Sequence, residues 1–221
     1  MRVVGFSDFW HSFWKKSRAM DVVLFLTLLL AAFLLFYNLD QRPLWQDEAE
    51  TGCLAKNVLK YWIPIAYDGK NLISQEEGLE FGKDGRLWRW SPWLQIYLQA
   101  LGFLIFGPGA FGARFPFAFC AWLSILFSYL LVKRVSGNLA WARVTALLLT
   151  LSTPFILFAR QGRYYGVGCL MAVLILYFFQ DVRRNGYKGA TCLALAAACL
   201  FYANFILFFS YLAGVFLSAL V

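Results

Sequence analysis

The chain has 221 residues, 61% of them hydrophobic and only 14% charged, with a mean hydropathy of +0.62. Soluble domains carry about a quarter charged residues, and the apolar residues here form long continuous runs, which argues against both a soluble core and the alternating strands of a membrane β-barrel. The net charge of +8 would suit nucleic acid, but in so apolar a chain the basic residues flank spans and face anionic lipid, so membrane lipids are expected partners and nucleic acid is not.

Residues 1–20 read as a cytoplasmic interfacial segment. Phe6, Phe9, Trp10, Phe13 and Trp14 fall at helical spacing, and Lys15, Lys16 and Arg18 follow. His11, the sole histidine, reads as an interfacial residue there. Residues 21–221 read as one transmembrane domain. The expected fold is all-α: a polytopic helical membrane protein with a long outer loop carrying juxtamembrane helices. The first apolar run, Val22–Tyr37, extends to Leu39, lacks a small-residue cleavage site and reads as span one, not a signal peptide. Residues 38–113 form the outer loop. Within it Glu50 to Trp62 is amphipathic, with Leu54, Val58, Leu59 and Trp62 assigned to one side, and is expected to lie on the membrane surface. Trp93–Phe106 would be about 21 Å long against a core of about 30 Å. It carries Gln95 and Gln99 on one face and reads as a helix at the surface or dipping in.

The later spans are expected at 115–132, 144–159 and 166–179. Gly189–Val221 would be roughly 50 Å as a single helix, so a break is expected near Tyr202-Ala203-Asn204. The positive-inside rule puts Lys133-Arg134 and the cluster Arg183, Arg184, Lys188 in the cytoplasm. It puts loop 38–113 and the short loop at Arg160–Tyr165 outside, as in a bacterial inner membrane with its N-terminus cytoplasmic. The chain ends within an apolar run, which reads as the N-terminal part of a longer protein.

Nine of the 12 acidic residues fall between Asp40 and Asp84. Asp47-Glu48 stands just past span one, where a carboxylate pair is either chemistry or a solvated acidic loop. Trp45, Trp62, Trp88, Trp90 and Trp93 interleave this loop as an interfacial belt or as sugar-stacking surfaces. Arg160 and Arg163 run against the charge rule. They suit phosphate oxygens, or pair with the acids of the first loop or with lipid headgroups. Arg114 opens the next span as a headgroup anchor or a partner of Asp47-Glu48. Five cysteines without a C-x-x-C pair imply no disulfide framework. No nucleotide-binding glycine loop is present.

Four pieces in order carry a resemblance: Leu44-Trp45-Gln46-Asp47-Glu48-Ala49 after a span; Ser91-Pro92-Trp93 leading to Tyr97, Phe103 and Phe106-Gly107; Gly112-Ala113-Arg114-Phe115-Pro116 opening the next span; and Pro154 with Ala159-Arg160-Gln161-Gly162-Arg163-Tyr164-Tyr165. Together, across 22–180, they resemble the N-terminal half of GT-C superfamily membrane glycosyltransferases, in the branch of protein mannosyltransferases and aminoarabinose transferases. The resemblance implies transfer of a sugar, with inversion, from a polyprenyl-phosphate donor to a lipid, glycan or protein acceptor at the outer face. It implies Asp47 as catalytic base, with Glu48 orienting neighbours or helping to bind a metal or the acceptor. It assigns the donor phosphate to Arg160, Arg163 and Arg114, and the donor pocket to Tyr164 and Tyr165. A divalent metal is left open. The second loop lacks the further acid that some relatives carry, having Tyr165-Gly166-Val167 instead. Two other readings stand beside this one: a non-catalytic or truncated protein that binds polyprenyl-phosphate lipids, and a lipid transporter or flippase-like module. A transporter should place charge inside its spans, and only Arg143, near a span end, comes close.

Overall fold

A computed structural model describes residues 21–74, 76–82, 86–185 and 189–220. The interfacial segment expected at 1–20, with His11, and Lys188 of the basic cluster lie outside the described residues. Within them are nine helices: α1 (Val22–Phe36), α2 (Gln46–Tyr61), α3 (Leu94–Phe106), α4 (Ala110–Ser136), α5 (Leu139–Leu151), α6 (Thr153–Ala159), α7 (Tyr165–Asn185), α8 (Ala190–Ala203) and α9 (Phe205–Leu220). The described residues contain no strand, only isolated bridges such as Ile65–Leu87 and Phe81–Trp88 in the segment between α2 and α3.

The chain is a helical membrane protein. The α4 helix and residues Tyr165–Arg183 of α7 are each long and apolar enough to cross a bilayer, and α5 and α6 meet that measure only together, bent by 63° as a broken span or a re-entrant loop. The bend falls within the span expected over 144–159. Its cause is local: Ser152 ends α5 and caps α6, accepting from the Phe155 amide at 3.4 Å, and Pro154 sits in the first turn of α6. The final run breaks at Asn204, within the expected stretch, and Asn204 Oδ1 caps α9 by accepting from the Leu207 amide at 2.9 Å. The 15 residues of α1 make a helix of about 22 Å, shorter than an upright crossing. The 13 residues of α3 are shorter still and pack against α2 and α4.

The α4 helix is the axis of the fold and touches α1, α3, α5 and α7. Small residues permit this. Ala118 and Ala121 of α4, Ala31 of α1 and Ala142 and Ala146 of α5 are fully buried in one cluster, so the helix backbones lie close together. Two glycines bring backbones into direct contact. A Cβ on Gly102 of α3 would lie 2.0 Å from the Gly112 carbonyl oxygen, and one on Gly166 of α7 would lie 2.2 Å from that of Phe117.

At one end of the bundle two carboxylates hold helices together. Asp21, the N-cap of α1, accepts from Tyr129 Oη of α4 at 2.6 Å and pairs with Arg143 of α5 at 3.0 Å. Asp181 of α7 pairs with Arg134 of α4, whose guanidinium lies over the Tyr177 ring. Burial works to raise the Asp21 carboxyl, but hydrogen bonds from Arg143, Tyr129 and the Leu24 amide outweigh it, leaving its pKa below the ordinary value of 3.8.

Two predictions follow from this packing. Gly166→Ala should cost about 1–3 kcal/mol through backbone overpacking, measured by thermal unfolding in detergent. Gly109→Ala, where the space is open, should stay within about 0.5 kcal/mol. Because the folded pKa of Asp21 is depressed, its stabilising contribution is present above the unfolded value and is lost as pH falls through the folded one. Acid unfolding of Asp21→Asn should therefore lose the part of the pH dependence below about pH 4 that wild type shows.

Candidate active site

The site is built at the other end of the bundle, on the first turn of α2. Glu48 is wholly buried there (0% exposed). Its carboxylate accepts four hydrogen bonds: from Arg114 Nε (3.0 Å) and Nη2 (2.6 Å), from the Gly162 amide (2.6 Å), and from the amide of Trp45, the N-cap of α2 (3.3 Å). One carboxylate thus joins the start of α2, the start of α4 and the α6–α7 loop. No Cβ fits comfortably at Gly162 either, since it would lie 3.1 Å from the Ala113 carbonyl oxygen.

Arg114 has five N–H groups, and all are used. Besides Glu48, Nη1 donates to the carbonyls of Leu39 (2.9 Å) and Arg42 (2.8 Å), and Nη2 to that of Pro43 (3.0 Å). Arg160 does the same one step earlier in the chain. Its Nη1 donates to Leu34 O at 2.6 Å, and Nη2 to Tyr37 O at 2.7 Å and Asn38 O at 3.1 Å. The two guanidinium groups therefore take up the carbonyls at the end of α1 and along its connection to α2. Burial, with the charges of Arg114 and Arg42, pulls the Arg160 pKa down, yet an arginine so placed stays charged.

Asp47 differs from its neighbour. Its side chain is 33% exposed, and Oδ2 lies 3.3 Å from Arg163 Nη2. Oδ1 takes no donor among the described residues. Arg163 Nη1 also approaches the Asp47 carbonyl at 3.4 Å, while its buried Nε has no partner. The Tyr164 and Tyr165 rings touch, with centroids 4.6 Å apart. Both line an apolar cleft of about 480 Å³ that runs between α4, α6, α7 and α9 past Pro154, Phe158 and Leu207. Asp47 and Arg163 lie outside its lining.

The structure thus brings Asp47, Glu48, Arg114, Arg160 and Arg163 into one network, with Tyr164 and Tyr165 beside it. It separates their duties in a way residue types could not: Arg114 and Glu48 are committed to each other and to backbone, and Arg160 to backbone. The amphipathic face assigned to α2 also needs correction. Leu54 and Val58 are buried against α3, but Leu59 and Trp62 face outward, Trp62 being 82% exposed. Trp88 is buried, its Nε1 donating to Ser91 Oγ at 2.9 Å, so it belongs to no surface belt. Gln95 and Gln99, taken in the sequence as signs of a surface helix, are buried at 1% and 0% exposed. The sequence signal was their spacing of four on an otherwise apolar helix.

Comparison with known proteins finds distant relatives. The chain is 28% identical over 179 residues to an uncharacterized protein of Aquifex aeolicus, a match covering 79% of this chain and 32% of that protein. It is 27% identical over 183 residues to the undecaprenyl phosphate-alpha-4-amino-4-deoxy-L-arabinose arabinosyl transferase 2 of Pseudomonas fluorescens, covering 79% and 30%. It is 27% identical over 172 residues to a Bacillus subtilis protein named "Putative mannosyltransferase YkcB", covering 78% and 22%. The chain therefore spans a third or less of the length of these relatives. No family model matches, and no solved structure does. Two of the three relatives carry glycosyltransferase names.

Among the described residues no three His, Cys, Asp or Glu side chains converge.

The network predicts opposite costs for adjacent carboxylates. Glu48→Ala leaves a buried guanidinium unpaired and should destabilise the fold by about 3–5 kcal/mol. Asp47→Asn, at a partly exposed ion pair that keeps an amide oxygen facing Arg163, should cost less, about 1 kcal/mol. Thermal unfolding of the two variants in detergent checks the contrast.

Proposed function

We propose that this chain carries the catalytic end of a membrane glycosyltransferase that moves a sugar from a polyprenyl-phosphate donor to an acceptor hydroxyl. The observation that carries the reading is the state of Asp47. It is a carboxylate on a rigid helix turn with one oxygen free, beside a partly unsatisfied arginine and next to a tyrosine-edged apolar cleft. The glycosyltransferase names of two relatives support the same class.

In this mechanism Asp47 Oδ1 accepts the proton of the acceptor hydroxyl as that oxygen attacks the anomeric carbon. The bond from that carbon to the phosphate oxygen breaks, and its electron pair leaves with the polyprenyl phosphate. One displacement inverts the anomeric centre. A carboxylate within hydrogen-bond reach of the acceptor hydroxyl serves as a general base. Arg163, whose Nε is still unpaired, faces the charge that develops on the leaving phosphate. Arg114 is a positioning residue, since its donors are spent on Glu48 and backbone carbonyls, and Arg160 is another, since both of its terminal nitrogens are held by backbone carbonyls. Glu48 likewise positions Asp47 through the helix turn they share. Tyr164 and Tyr165 line the cleft that takes the donor's apolar chain. The site faces outward across a bacterial plasma membrane, a placement supported by the basic residues Lys133 and Arg183 at the far end of the bundle and by the bacterial relatives.

Transfer from radiolabelled polyprenyl-phosphate mannose, in membranes expressing the chain, tests this reading. Asp47→Asn should lower the rate about 10²–10⁴-fold, the range for loss of a general base, without loss of folded protein. Equal donor consumption by the variant and wild type would remove Asp47 from the chemistry.

A further inference from the structure

Three buried polar side-chain atoms among the described residues have no hydrogen-bond partner: Gln95 Oε1, Gln99 Oε1 and Arg163 Nε. Two of them lie against the Asp47-Glu48 turn. Arg163 pairs with Asp47, and Gln99 Nε2 makes a long 3.4 Å contact to the Glu48 carbonyl. Gln95 is one turn before Gln99 on α3. At 100° per residue, Leu94 and Leu98 form the stripe of α3 that packs on Phe117 and Val167, while Ile96, Ala100 and Phe103 form the stripe that packs on α2. Gln95 and Gln99 fall between these stripes. Gln99 lies against Glu48 and Gly52 of α2, with Gln95 one turn before it on the same face of α3.

Buried carbonyl-type oxygens are almost always paired in folded proteins, and this pair is not. Rotating either amide exchanges oxygen for nitrogen and leaves an unpaired donor instead. Leucine would fill the same volume at no such cost on a helix that reads Leu-Gln-Ile-Tyr-Leu-Gln-Ala-Leu-Gly-Phe-Leu-Ile-Phe. This face of α3 carries two buried acceptors one helical turn apart, and the Asp47-Glu48 turn that Gln99 touches is paired with Arg163, whose Nε is a cationic donor without a partner. Neighbouring hydroxyls on a sugar ring supply the matching donors, and a ring or phosphate oxygen the matching acceptor. We propose that Gln95 and Gln99 read the hydroxyl groups of the transferred sugar, which enters the seam between α2 and α3 beside Asp47. The proposal rests on the glycosyltransferase reading and adds where the sugar is distinguished. A site built to pair a hydroxyl discriminates strongly against ligands that lack one.

The test is ligand-induced thermal stabilisation of the purified chain in detergent, with farnesyl phosphate and with farnesyl phosphate carrying mannose or 4-amino-4-deoxy-L-arabinose. Wild type should bind a sugar-bearing lipid more tightly than the bare one. Gln95→Leu and Gln99→Leu should weaken binding of the sugar-bearing lipid at least about tenfold, as for one lost hydrogen bond, and leave binding of farnesyl phosphate unchanged. The ligand-free midpoint of Gln95→Leu should stay level or rise, which a structural role for the amide would not allow. Gln95→Met and Gln99→Met serve if a leucine variant does not fold. Variants that keep the full sugar preference overturn the proposal, as does a wild type that binds all the lipids equally. A wild type stabilised by none of them removes the donor reading itself, and this proposal with it.

Discussion

A glutamate with no exposure to solvent sits among four donors at the end of an otherwise apolar bundle, and most of what surrounds it is arranged to keep it there. Removing a carboxylate and a guanidinium from water costs several kcal/mol per ion, and the attraction between them offsets this only when the remaining hydrogen-bonding capacity is also filled. The Glu48–Arg114 pair meets that condition: each lone-pair direction of the carboxylate and each N–H of the guanidinium has a partner. Those partners are backbone groups of segments far apart in sequence. The pair is therefore less a source of net stability than a template that fixes where the α1–α2 connection and the α6–α7 loop must lie.

Arg160 extends the template. A short link leaving the end of a helix carries carbonyls without intrahelical partners, and near a membrane such groups are costly to leave unpaired. Arg160 and Arg114 satisfy them in succession from Leu34 to Pro43. The fixed fork of arginine suits this role, and lysine would not replace it. With two of three arginines committed, Arg163 is left as the one in contact with Asp47. The site's electrostatics thus come from a division of labour among chemically identical side chains.

The bundle supplies rigidity by a different route. Lipid gives helices no hydrophobic reason to associate, so close backbone contact has to be built from small residues. Gly102 against Gly112 and Gly166 against Phe117 do this near the site. The Asp21–Arg143 and Asp181–Arg134 pairs hold the far end. The Asp47-Glu48 turn rests on helices fixed at both ends, the arrangement the proposed chemistry needs to hold its geometry.

By itself the sequence determined the class of molecule, because hydropathy and run length are properties of consecutive residues and need no partner to be read. It also located the break at Asn204 and the short α3, both consequences of length against bilayer thickness, and it marked Asp47, Glu48 and the arginines as the unusual charges of an apolar chain. Only the tertiary structure decided what each of those charges does. Glu48 and Asp47 are adjacent and nearly alike, yet one faces inward to Arg114 and Gly162 while the other keeps a free oxygen. That difference is set by the rotation of α2 about its axis, through contacts more than 60 residues away in sequence. The same rotation on α3 turned Gln95 and Gln99 from the surface into the interior, and Ser152 breaks the apolar run that hydropathy alone reads as one span. Burial is a property of packed neighbours, and no local pattern encodes which neighbour arrives.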